Sequence, residues 1–135
     1  MRVFVDTGAF VASDLRRDQF HQESLQTWKE LGAENVRLFS SDAVFQETMR
    51  FLQTRGGVEL AIRWAKMQFR SKLITWLPVD LQVRQAALPL MRKLADQGVS
   101  FVDATSFVLM RREGVRIVFG FDRHFTAAGF RLLSD

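Results

Sequence analysis

Short apolar runs alternate with amphipathic stretches along the whole 135-residue chain, and that alternation confines it to one class of fold. Residues 2–6, 36–40, 73–77, 115–121 and 130–133 read as strands. They are apolar on both faces rather than at every second residue, the pattern of parallel strands buried between layers. The stretches between them have helical spacing. Leu25, Trp28 and Leu31 share one face of residues 20–32, with Gly32 as the stop. After the Gly56-Gly57 break, Val58, Ala61, Ile62, Ala65 and Phe69 share another. Val83, Ala87, Leu90 and Leu94 share a third over Leu81–Ala95, where Pro89 is expected to kink the helix or mark a boundary. Ser41-Asp42 is a suitable N-cap for a helix to about Thr54. Further helices are expected near residues 9–13, over Ser100–Arg112 and over Arg123–Ala128. Strands alternating with helices predict an α/β fold. The expectation is a central, mostly parallel sheet of about five strands flanked by helices, in one domain covering residues 1–135.

Composition narrows the chemistry. There is no Cys, which excludes disulfides, thiolate metal sites and a Cys nucleophile. His21 and His124 are the only histidines, too few for a zinc site built from several of them. A divalent ion would be held by oxygen, which selects magnesium or manganese. The net charge of +4, from 19 Lys and Arg against 15 Asp and Glu, suits a polyanionic partner without requiring one. No apolar run reaches the ~18 residues of a membrane-spanning helix. The opening residues read as a strand rather than an export signal, so a cytoplasmic protein is expected.

Four acids stand apart from the other eleven by where they fall. Asp6 closes the run Val3-Phe4-Val5, and Asp122 closes the run that ends at Phe121. Asp103 follows Phe101-Val102 at the start of a helix, and Glu47 lies one turn into the helix after Ser40-Ser41. In an open parallel sheet, positions outside the carboxyl ends of the strands converge on one crevice. Carboxylates gathered that closely cannot all stay ionised unless a cation sits among them. Each acid also has a local explanation. Asp6 and Asp122 suit helix caps, Ser100 to Asp103 suits a capping box, and Glu47 suits a solvated helix face.

Those pieces carry a family resemblance. Val3-Phe4-Val5-Asp6-Thr7, Ser41-Asp42-Ala43-Val44-Phe45-Gln46-Glu47, Ser100-Phe101-Val102-Asp103-Ala104 and Phe121-Asp122-Arg123-His124-Phe125 occur in the order and spacing of a PIN-domain nuclease. The chain resembles the type that forms the toxin half of bacterial VapBC-type toxin–antitoxin pairs. The resemblance implies a metal-dependent endoribonuclease, a hydrolase of RNA phosphodiester bonds, with Asp6, Glu47, Asp103 and Asp122 as its catalytic acids. It implies Mg2+ or Mn2+ held by Asp6, Asp103 and Asp122, with Glu47 reaching the ion directly or through water. One ion or two are both compatible with four acids. It also implies a homodimer and a small antitoxin whose tail covers the acidic site. Family members often carry Ser or Thr two residues before the last Asp; here that residue is Gly120. Thr7 keeps a hydroxyl nearby.

Thr7, Arg123 and His124 are the candidate substrate-binding residues, with Arg16-Arg17, Arg50, Arg55 and Arg111-Arg112 as further basic groups. Phe10, Phe20, Phe45, Phe51 and Trp28 suit base stacking by type, but their helical spacing favours burial in a core or protein interface. Haloacid-dehalogenase-like phosphotransfer needs an Asp two residues after the first, where this chain has Gly8. Two alternatives stay open: an RNA-processing PIN nuclease outside a toxin pair, and a non-catalytic nucleic-acid-binding PIN module.

Overall fold

In the computed structural model, which describes residues 1–135, five parallel strands form one sheet. They are β1 (Arg2–Val5), β2 (Arg37–Ser41), β3 (Ile74–Leu77), β4 (Ile117–Phe119) and β5 (Arg131–Leu132), in the spatial order β3-β2-β1-β4-β5. Helices α1 (Thr7–Asp14) and α2 (His21–Ala33) join β1 to β2, and α3 (Asp42–Gly56) and α4 (Val58–Arg70) join β2 to β3. Helices α5 (Leu81–Lys93) and α6 (Phe101–Glu113) lead to β4, and the short α7 (His124–Ala127) leads to β5. The chain steps outward from β1 to β3, then crosses back to place β4 on the other side of β1. A crevice opens outside the carboxyl ends of the strands at such a reversal, here between β1 and β4.

Strand β1 is the centre of the molecule. Val3, Phe4 and Val5 are fully buried, and Phe4 lies opposite Phe39 on one side and Val118 on the other. The Asp6 N–H continues this ladder by donating to the Phe119 carbonyl at 2.9 Å, which fixes the ends of β1 and β4 against each other. The edge strand β3 is less covered, and its Thr75 is exposed. Buried Phe10 on α1 meets Trp28, Trp64 and Trp76 at ring-centroid distances of 5.8, 5.2 and 5.7 Å. This aromatic seam locks α1 to α2, α4 and β3. Aromatic pairs of this kind add about 0.5–1.5 kcal/mol each beyond simple burial.

Several boundaries differ from the sequence reading. Helix α1 starts at Thr7, directly after the strand, rather than near residue 9. Strand β4 ends at Phe119, because Gly120 and Phe121 leave the ladder in a bend. Helix α5 passes Pro89 and ends at Lys93, followed by a 3-10 turn over Ala95–Gln97. Pro89 and Gln85 are both exposed, so the carbonyl deprived of its N–H partner can be hydrated.

Candidate active site

Asp6 sits where β1 ends and α1 begins. It occupies the N-cap position, yet its carboxylate makes no cap hydrogen bond. The side chain turns into the crevice and is only 5% exposed. Gly120 lies directly against it. A Cβ at position 120 would lie 2.9 Å from the Asp6 Cβ, closer than such atoms approach. Where the family pattern offers a hydroxyl, this chain offers bare backbone, and Asp6 packs against it.

The other three acids arrive from separate elements. Ser41 caps α3 by accepting from the Val44 N–H at 3.1 Å, and one turn later Glu47 faces Asp6 across the crevice. The buried Thr7 hydroxyl donates to Glu47 Oε1 at 2.6 Å, which ties α1 to α3. Asp103 is the third residue of α6 and completes a capping box with Ser100. Its backbone N–H donates to Ser100 Oγ at 3.0 Å, and its Oδ2 accepts from the Ser100 N–H at 3.1 Å. Asp122 follows the bend after β4, and its Oδ1 accepts the His124 N–H at 2.9 Å. His124 Nδ1 lies 2.9 Å from Asp103 Oδ2 and 3.1 Å from Asp122 Oδ1.

All four acids line one open hollow of about 350 Å³, roomy enough for a hydrated ion beside a phosphodiester. Their charges are felt across it. Burial, then the charge of Asp103, hold the Asp6 carboxyl well above its ordinary 3.8. Glu47 and Asp122 push the same way, against the lowering effect of the Thr7 N–H. Burial also raises Glu47, helped by Asp103 and Asp122 and opposed by the Thr7 hydroxyl and Arg50. For His124, burial works to lower the pKa, but the hydrogen bond its ring donates to Asp103 and the charges of Asp122 and Asp103 outweigh it and raise it. A buried, uncapped carboxylate ringed by like charges is a donor set short of a cation. The oxygens present fit a divalent ion of the magnesium or manganese type.

The remaining candidates divide. Thr7 is in the hollow, with its hydroxyl committed to Glu47. His124 is in it, with its ring on two acids. Arg123 does not line it: the guanidinium turns to Asp135 Oδ2 at 2.9 Å, pairing with the chain end instead. Phe10 belongs to the core, and Phe20 stacks on Phe121 at 4.2 Å. Phe51 does reach the hollow, with the Arg55 guanidinium 5.0 Å over its ring. Asp18, which reads in sequence as an ordinary loop charge, is also at the rim. Only the folding of the 15–20 loop against α3 brings Asp18 and Arg55 there, and no local motif announces it.

The sequence matches the PIN domain family over residues 3–131. It is 30% identical over 128 residues to the 23S rRNA-specific endonuclease VapC20 of Mycobacterium tuberculosis, covering 95% of both chains. The crystal structure of Mycobacterium tuberculosis VapC20, described as a sarcin-ricin loop cleaving toxin, aligns with a TM-score of 0.84 over 95% of each chain. VapBC2 from Rickettsia felis, solved with a DNA fragment from its promoter, shares the fold at 14% identity, with a TM-score of 0.69 over 98% of this chain and 97% of its own.

Proposed function

We propose that this chain, which belongs to the PIN-domain family, is a divalent-metal-dependent endoribonuclease and the toxin of a toxin–antitoxin pair. The observation that carries the reading is the convergence of Asp6, Glu47, Asp103 and Asp122, from four different elements, on one solvent-open hollow. Asp6, Asp103 and Asp122 are the residues that would hold Mg2+ or Mn2+. Glu47, oriented by Thr7, completes the anionic wall. The chemistry that such an ion supplies when bound is Lewis acidity toward water and toward a phosphoryl oxygen. The chain's own part is to fix the acids, to keep the hollow open to a phosphodiester, and to repel RNA until the negative charge is neutralised. Arg55, at the rim, is placed to meet a backbone phosphate.

RNA as substrate is supported by the names of the VapC20 relatives, and a structured ribosomal RNA loop is the first substrate to try. The purified chain is expected to cut 23S rRNA when Mg2+ or Mn2+ is supplied, with the cut mapped by primer extension. Asp6→Asn and Asp103→Asn should each lower the rate by at least about a hundredfold, or ~2.7 kcal/mol. Equal cleavage by wild type and both variants would trace the activity to a contaminant and remove the proposal.

An antitoxin partner is supported by the toxin–antitoxin complexes among the structural relatives. It is supported too by apolar side chains left exposed beside the aromatic seam: Leu25, Met67, Phe69 and Leu73. Leu81 and Leu88, seven apart on α5 and both exposed, form a second apolar surface suited to another copy of the chain. Sedimentation velocity distinguishes the expected homodimer from a monomer.

A further inference from the structure

The Nδ1 atom of His124 has one hydrogen at most, yet two carboxylate oxygens lie against it at nearly equal distances, 2.9 Å for Asp103 Oδ2 and 3.1 Å for Asp122 Oδ1. One N–H cannot serve both well. Each of those oxygens is separately anchored by a backbone donor, Ser100 N–H for Asp103 and His124 N–H for Asp122. The three atoms are therefore held as a fixed triangle, all within 4.8 Å of one another. In an octahedral shell with bonds of about 2.1 Å, neighbouring ligand atoms stand about 3 Å apart. The two measured distances match edges of such a shell. On its other side the ring presents Nε2 to the Gln97-Gly98 turn. One ring nitrogen beside backbone, with the other facing the site, is the orientation expected of an imidazole that binds metal.

We propose that His124 is itself a metal ligand through Nδ1, which makes the site a mixed nitrogen–oxygen centre that prefers Mn2+ over Mg2+. The proposal rests on the reading that Asp103 and Asp122 hold a divalent ion. It changes what that site selects. A site of carboxylates and water suits magnesium, whereas an imidazole nitrogen shifts preference toward transition metals. The role differs from the substrate contact that sequence position alone suggests, because the ring is turned inward onto the acids rather than outward to the rim.

The test reads coordination without substrate. The full-length chain is loaded with Mn2+ and examined by electron spin-echo envelope modulation, which detects nitrogen bound to the ion. Wild type is expected to show 14N modulation, and His124→Gln to lose it. Glutamine carries its terminal group near the Nε2 position, so it keeps a polar group at the Gln97-Gly98 turn and removes the Nδ1 ligand. His21→Gln should retain the modulation, since His21 Nδ1 is engaged by the Ala12 carbonyl at 2.7 Å. In competition titrations the Mn2+ over Mg2+ preference should fall at least about tenfold in His124→Gln. Mn2+ bound without 14N modulation in wild type overturns the ligand assignment and leaves the acidic site standing. Absence of Mn2+ binding in wild type overturns the assignment and the metal reading together.

Discussion

Asp6 sits where its charge costs the fold stability. Its carboxyl is raised well above 3.8 by burial and then by Asp103, so above that value the folded chain binds more protons than the unfolded one. Stability contributed by the protonated form is therefore lost as pH climbs through the raised value. Glu47, raised from 4.5 chiefly by burial, acts in the same direction. His124 does so too: its ring is raised from 6.5, so its contribution is full below that value and lost above the folded one. The metal-free protein should thus melt at a higher temperature near about pH 5 than near about pH 8, measured in chelator. Asp6→Asn should raise the melting temperature at neutral pH and flatten the pH slope, while abolishing RNA cleavage. Gly120 belongs to the same economy of space. With no side chain at 120, Asp6 packs directly on the backbone there, so restoring a hydroxyl at that position would require Asp6 or the bend to shift.

Helix α6 shows how one element serves two purposes. Asp103 closes a capping box and also faces the hollow, and two substitutions separate the roles. Ser100→Ala removes the hydroxyl that accepts from the Asp103 N–H, and should cost about 1 kcal/mol in denaturant unfolding with cleavage largely kept. Asp103→Asn retains an acceptor for the Ser100 N–H, so it should unfold much like wild type and lose cleavage. The capping box was legible in the sequence because Ser100 and Asp103 are three residues apart, and so was Asp6, because the run before it is short and wholly apolar. The sheet and the ends of α2 and α3 followed from the same periodicities. Pro89 does not mark a boundary, because its cost depends on which face of the helix it occupies, and exposure is a tertiary fact. The inward turn of His124 and the outward pairing of Arg123 were equally hidden. Adjacent residues on a short helix point apart, and nothing local says which meets the acids.

At the scale of the whole molecule the hollow is the place where stability and ion binding meet. An ion that binds only the folded chain should stabilise it by about 2.7 kcal/mol at a hundredfold excess over its dissociation constant. Differential scanning calorimetry should show that gain in wild type with Mn2+ and little of it in Asp6→Asn or Asp122→Asn. No helix is long and apolar enough to cross a membrane. The sheet order has a consequence in time. Strand β1 precedes the other strands, but one of its two neighbours, β4, comes after β2 and β3 in the chain, and Asp122 follows it. The fourth acid therefore cannot join the other three until β4 has been made and has crossed back beside β1.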